Sequence, residues 1–207
     1  MPVNLVVFDL GGVMIRIRHR WSEVLEELCL PVPEGFDQDR LAEHRLLTAF
    51  QEGLLGENDF LVALAGEFGL TISQAEQAHG YILDREYEGA LELVRDIKSS
   101  GIQVYCLSNT NALHYREFFS GRFPVCEAFD TLLASHRLGM GKPDPRIYRH
   151  VEEVSGFKGG EIAFFDDAEK NVTAARAVGW HAETVDPAGD PPGFIRQSLA
   201  ALGPLER

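Results

Sequence analysis

At 207 residues, with 45% hydrophobic and 25% charged content, the chain has ordinary globular composition and length for one well-cored domain, or a core with a smaller insert. Its 32 acidic against 19 basic residues leave a net charge of -13, which argues against a nucleic-acid partner, because phosphate backbones are held by basic surfaces. The start MPVNLVVFDL lacks the parts of a secretory leader and no apolar stretch approaches the ~20 residues of a membrane span, so the expectation is a cytoplasmic protein with no membrane partner.

In chain order, the first predicted element is a strand, VNLVVF at 3 to 8, which gives out at Asp9 and is followed by Leu10 and then Gly11-Gly12. Beyond it the alternation in Met14-Ile15-Arg16-Ile17-Arg18-His19-Arg20 places Arg16 and Arg18 on one face of an extended exit. Residues 16 to 87 then show no convincing strand and read as a helical insert, with helices near 20 to 30, 37 to 53, 57 to 68 and 73 to 86. Ser73, with Glu76 three residues on, offers a capping box, and Glu57 or Asn58 a start for the third helix.

From about residue 89 strand and helix alternate. Ala90, Leu93, Val94 and Ile97 keep helical spacing, IQVYCL (102 to 107), TLLAS (131 to 135), EIAFF (161 to 165) and HAETV (181 to 185) read as buried strands, and Ala174, Ala175 and Val178 mark another helix. The Pro- and Gly-rich stretch 187 to 193 reads as a surface connection to a last helix. This pattern predicts a doubly wound, Rossmann-like α/β core over 1 to 15 and 88 to 207 with a helical cap over 16 to 87, and ligands at the carboxyl ends of the strands. The three cysteines, Cys29, Cys106 and Cys126, have no metal-like spacing. Two of them lie in apolar surroundings, as buried thiols in a reducing compartment do.

Four segments fall at predicted strand ends: Asp9, Ser108-Asn109, Gly141-Lys142-Pro143 and Asp166-Asp167. Singly, each reads as a turn, a cap or a solvated loop; a parallel sheet brings all four to one crevice. Adjacent carboxylates closing a buried strand repel each other unless a cation or donors compensate. Together the segments suit phosphoryl transfer through an aspartyl-phosphate. Asp166 and Asp9, with the Gly11 carbonyl, would hold Mg²⁺ through hard oxygen ligands. The Ser108 hydroxyl and nearby amides would take phosphate oxygens, Lys142 would neutralise the charge on nucleophile and phosphoryl group, and Gly11 and Gly12 would let the backbone close around the anion.

FDLGGV, LSNTN, GKPDPRIY and FFDDAEKNVTAA, in this order and spacing, resemble the four motifs of the haloacid dehalogenase superfamily of hydrolases, and the insert after the first resembles that superfamily's helical cap. The wording is also similar to bacterial alpha-D-glucose-1-phosphate phosphatase-like members and, more loosely, to the N-terminal phosphatase domain of soluble epoxide hydrolases. The resemblance implies Asp9 as nucleophile, Ser108 and Asn109 as phosphate-binding, Lys142 as the third-motif lysine, Asp166 as a metal ligand, Asp167 as a direct or water-mediated one, and Asn171 as a residue that orients the site. The partner implied is a small phosphate ester such as glucose 1-phosphate, and the chain is expected to be a monomer or weak homo-oligomer.

Gly11 departs from the pattern. Most phosphatases of the superfamily place a second aspartate there, which protonates the leaving group and later activates water; a sugar 1-phosphate, with its more acidic leaving group, would need that acid less. His19 is a candidate replacement donor. Arg16 and Arg18 would either draw in the anion or pair with Glu23, Glu26 or Glu27. Two rivals stand beside the phosphatase: a dehalogenase-like hydrolase, which also lacks the second aspartate but has a fourth motif rich in Ser and Asn, and a weakly active binding or regulatory member of the fold.

Overall fold

Strand β1 (Leu5–Phe8) is buried along its whole length, and its side chains alternate between two hydrophobic clusters, Val6 and Phe8 in one, Leu5 and Val7 in the other. A strand covered on both faces reads as a continuous apolar run for this reason. The computed structural model describes residues 2–33 and 39–203. Within them, β2 (Ile15–Ile17) follows β1, then α1 (Trp21–Glu27), a 3₁₀ turn at Leu41–Glu43, α2 (Arg45–Gln51), α3 (Glu57–Phe68), α4 (Ile72–Tyr81) and β3 (Leu83–Glu86). The rest alternates as α5 (Ala90–Ser99), β4 (Gln103–Ser108), α6 (Ala112–Phe118), α7 (Pro124–Ala128), β5 (Thr131–Ala134), α8 (Ser135–Leu138), α9 (Pro145–Ser155), β6 (Ile162–Asp166), α10 (Glu169–Ala177), β7 (His181–Thr184) and α11 (Pro191–Leu202).

The central sheet runs β5-β4-β1-β6-β7, and every neighbouring pair in it is parallel. The doubly wound α/β architecture expected from sequence is therefore present. Val104 and Cys106 of β4 and Ala163 and Phe165 of β6 join the face covered by α5, α7 and α11; Tyr105, Leu107, Ile162 and Phe164 join the face covered by α9 and α10. Each such side chain, fully buried, contributes roughly 1.5–3 kcal/mol relative to exposure. Cys106 and Cys126 are buried thiols and Cys29 is exposed.

The inserted segment has its own cluster, in which Trp21, Phe50, Phe60, Leu64 and Phe68 pack together. Three readings of this segment need correction. Residues 83–86, expected to continue a helix, form β3, which pairs antiparallel with β2; LDRE is one apolar residue followed by three charged ones, so it carries no apolar alternation to mark a strand and is easily read as the polar end of a helix. The cap of α4 is Thr71, not Ser73: Thr71 and Gln74 form the capping box, two residues earlier than expected. The helix expected over 37 to 53 reduces to the 3₁₀ turn and α2, and its residues 37 and 38 lie outside the described residues.

Candidate active site

The parallel register places Phe8 of β1 opposite Cys106 of β4 and Phe165 of β6, so the residues that follow these strands emerge together. Asp9 donates its backbone N–H to the Phe165 carbonyl at 2.8 Å. Lys142, fully buried, reaches across from the β5–α9 connection and donates to Asp9 Oδ1 at 2.9 Å and Asp166 Oδ2 at 2.6 Å. Asp166 is held from its other side as well: Oδ1 accepts from Ala168 N–H at 2.8 Å and from Asn171 Nδ2 at 2.9 Å.

Asp9, Asp166 and Asp167 each offer an oxygen within 4.8 Å of the others. Burial pushes the Asp9 carboxyl up to about 7 against the pull of Lys142, and Asp166 and Asp167 add to the rise. Asp167 is raised as well, by burial and then by Asp166. Two carboxyls held from ionising by burial and by a third favour a cation among them, since it would offset both terms. The Asn171 Oδ1 atom, buried in the same place, has no hydrogen-bond partner. A set of hard oxygens with an orphaned acceptor beside it fits Mg²⁺.

Above this centre lies a cavity of about 240 Å³, roughly eight waters' worth of liquid volume. The core contributes Asp9, Ser108, Asp167 and Lys170; the inserted segment closes it with Leu47 and Ile82, and His19 lies at its edge. Ser108 is buried, at the carboxyl end of β4. Thr110, which sequence reasoning passed over, lines the cavity with a buried hydroxyl that has no partner.

The glycines differ in kind. Gly12 has φ +74°, and a Cβ there would come within 2.7 Å of Asp167 Oδ2, so both conformation and space demand glycine. Gly11 has no positive φ, and a Cβ would meet only the Ile17 Cδ1 methyl at 3.0 Å.

Two expectations change in detail. Asn109 lines the cavity, and its side chain also clamps the loop that carries the lysine: its Oδ1 accepts from Lys142 N–H and its Nδ2 donates one hydrogen to the Lys142 carbonyl, both at 2.8 Å. Arg16 and Arg18 do not face the site together: of the two, Arg18 lines the cavity. A register irregularity between Ile15 and Ile17 interrupts the alternation. Arg16 lies over the Tyr87 ring at 4.4 Å, and Arg18 over Tyr81 at 3.7 Å while pairing with Glu27 at 2.8 Å. Glu27 was one of the partners the sequence suggested. His19 lines the cavity and its charge bears on Asp167.

Comparisons with known proteins agree with this arrangement. A family model described as haloacid dehalogenase-like hydrolase matches residues 3–179. A phosphatase of Mycobacterium tuberculosis is 29% identical over 99% of this chain and 97% of its own, and a D-ribitol-5-phosphate phosphatase of Bacteroides thetaiotaomicron is 28% identical over 89% and 92%. A solved structure of a HAD family enzyme from Bacteroides thetaiotaomicron, in complex with magnesium and inorganic phosphate, is similar with a TM-score of 0.77 at 26% identity, covering 94% of this chain and 100% of that one. Among the described residues no helix is long and apolar enough to cross a membrane.

Proposed function

The chain belongs to the haloacid dehalogenase-like hydrolases, and on that premise we propose that it is a Mg²⁺-dependent phosphatase of small phosphate monoesters, working through an aspartyl-phosphate at Asp9. The observation that carries this reading is the cluster of Asp9, Asp166 and Asp167 around Lys142. A dehalogenase attacks carbon and needs no metal, and three converging carboxylates would only hinder it.

In the first step a carboxylate oxygen of Asp9 attacks phosphorus, and the bond from phosphorus to the ester oxygen breaks, the leaving alcohol taking the electron pair and a proton. In the second, water attacks the same phosphorus, the mixed anhydride breaks, and Asp9 returns as carboxylate with inorganic phosphate released. Lys142, charged and buried between two acids, favours the ionised form of Asp9 against its burial and offsets charge on the phosphoryl oxygens. The Ser108 hydroxyl and nearby backbone amides would receive those oxygens. Asp9, Asp166 and the Gly11 carbonyl would hold Mg²⁺, with Asp167 reaching it directly or through water. When bound, the ion lowers the repulsion between an anionic nucleophile and an anionic substrate.

Gly11 leaves no acid where the leaving oxygen departs, so esters of acidic alcohols suit the site best: sugar 1-phosphates such as glucose 1-phosphate, or aryl phosphates. A phosphatase screen with Mg²⁺ over sugar phosphates, nucleotides, phospho-acids and aryl phosphates, with 2-chloropropionate as control, tests this. Phosphate release that needs the metal is the expected result. Chloride release without phosphate release would overturn the assignment.

A further inference from the structure

Helices α4 and α6 meet through two imidazoles. His79, near the end of α4, and His114, in the first turn of α6, are 1% and 5% exposed. Their rings stack with centroids 4.0 Å apart and 18° between planes. Phe60 closes the other side of His79, edge-on at 5.0 Å, with Phe50 at 6.0 Å.

The hydrogen bonds around this stack determine where the protons are. His114 Nε2 lies 2.9 Å from the His79 carbonyl; a carbonyl only accepts, so this nitrogen carries hydrogen. Asn111 caps α6, its Oδ1 accepting from the His114 N–H at 3.1 Å. The other end of that amide, Nδ2, is therefore a donor, and it faces His79 Nε2 at 3.2 Å. His79 Nε2 must present a lone pair. Protonated, it would set N–H against NH₂ in a place where Asn111, at 0% exposed, has no water to turn to.

Asn111 is also the last residue of the loop that begins at Ser108. Upstream in this loop, Thr110 N–H donates to Ser135 Oγ at 2.9 Å, whose single hydrogen faces the Gln51 carbonyl at 2.5 Å and the Thr110 carbonyl at 3.0 Å, while Asn109 is clamped to Lys142. His79, like Gln51, comes from the inserted segment, and it ends on the loop's own cap.

We propose that His79 is a positioning residue for the phosphate-binding loop: its Nε2 lone pair holds the Asn111 amide, and through it the Ser108–Asn111 backbone and the start of α6, so that a helix of the inserted segment sets phosphate affinity without touching substrate. This rests on the reading of that loop as the phosphate site. Burial holds both imidazoles neutral, His79 well below its ordinary value and His114 at about 4; His114 adds to the drop at His79, and at His114 the hydrogen bond to the His79 carbonyl opposes burial while Arg122 adds to it. The lone pair is thus present throughout the neutral range.

The variant His79→Phe keeps volume and stacking but removes the acceptor. His79→Gln offers an oxygen at nearly the reach of Nε2. Loop positioning acts on bound phosphate in ground state and transition state alike, so His79→Phe is expected to raise KM, and the Ki of inorganic phosphate as a competitive inhibitor, by about tenfold with kcat within about threefold. His79→Gln is expected to restore both. A packing role alone would lower the Tm of both variants and leave KM and Ki unmoved, and that result would overturn the inference. A long-range ¹⁵N–¹H correlation spectrum of the wild type at neutral pH tests it with no variant: His79 is expected with Nε2 unprotonated and His114 with Nε2 protonated, and the reverse tautomer of His79 would equally overturn it. Absence of any phosphate-ester turnover by the wild type would overturn the proposed function instead; turnover with an unchanged KM in His79→Phe would overturn this inference alone.

Discussion

Lys142 lies between Asp9 and Asp166, in direct contact with both, so each of the three depends on the other two. Asp166→Asn removes one charge from the set and turns one of the two oxygens that accept from Lys142, Ala168 and Asn171 into a donor, yet leaves Lys142 paired to Asp9. Activity is expected to fall at least 10²-fold in a steady-state assay, with a native far-UV spectrum. Lys142→Met is the harsher change. It leaves two buried carboxylates facing each other, and breaking a buried pair in this way costs about 3–5 kcal/mol; urea unfolding without metal should show that loss, and added Mg²⁺ should recover part of it. At Gly11 the backbone accepts a side chain if the Ile17 methyl yields by a few tenths of an ångström. In the wild type, kcat/KM for phosphate esters is expected to rise steeply as the leaving alcohol becomes more acidic, and in Gly11→Asp that dependence should flatten. A flat series in the wild type would mean that another group, such as His19, already donates the proton. Asp9, Ser108, Lys142 and Asp166 were legible because strand ends in a parallel sheet converge whatever the loops do. The clamp made by Asn109 was not, because its amide reaches a loop distant in sequence, and no spacing along the chain reports a clamp between loops.

At the scale of elements, the sheet strands were readable from unbroken apolar runs, and β3 was not, since only Leu83 of its residues is buried. The histidine stack left a trace that went unread: Ala75, Ala78 and His79, all buried, stand at i, i+3 and i+4 and mark the inner face of α4, which placed His79 inward. That contact makes the fold sensitive to acid. His114 has an ordinary value of 6.5 and is held down to about 4, with His79 shifted the same way. Between these values the unfolded chain binds more protons than the folded one, so stability rises with pH there. It is fully present above 6.5 and is lost as pH falls toward 4, by roughly 3 kcal/mol for His114 alone. Urea midpoints measured from pH 7 to pH 4.5 in the wild type and in His114→Gln check this: the variant should lose less over the interval.

For the molecule as a whole, the inserted segment, with its own cluster around Trp21 and Phe60, closes a cavity whose reactive floor belongs to the sheet. Its outline was legible from the gap in the strand pattern, whereas its lining was not: which side chains of a helical insert turn toward the sheet depends on the β2–β3 ribbon and on contacts such as Arg116 with Glu57. A cation bound only by the folded state stabilises it, by about 2.7 kcal/mol at a hundred times its Kd. Differential scanning calorimetry is therefore expected to show a Tm raised by Mg²⁺, reversed by chelator and absent in Asp166→Asn. The central claim is that Asp9 attacks phosphorus, and the most direct measurement is a rapid quench of the enzyme, Mg²⁺ and an aryl phosphate into borohydride, followed by peptide mass spectrometry. An acyl phosphate at Asp9 would be reduced, and the peptide carrying residue 9 is expected to contain homoserine there in the wild type and not in Asp9→Asn. Rapid phosphate release with Asp9 never reduced, or normal turnover by Asp9→Asn, would contradict it.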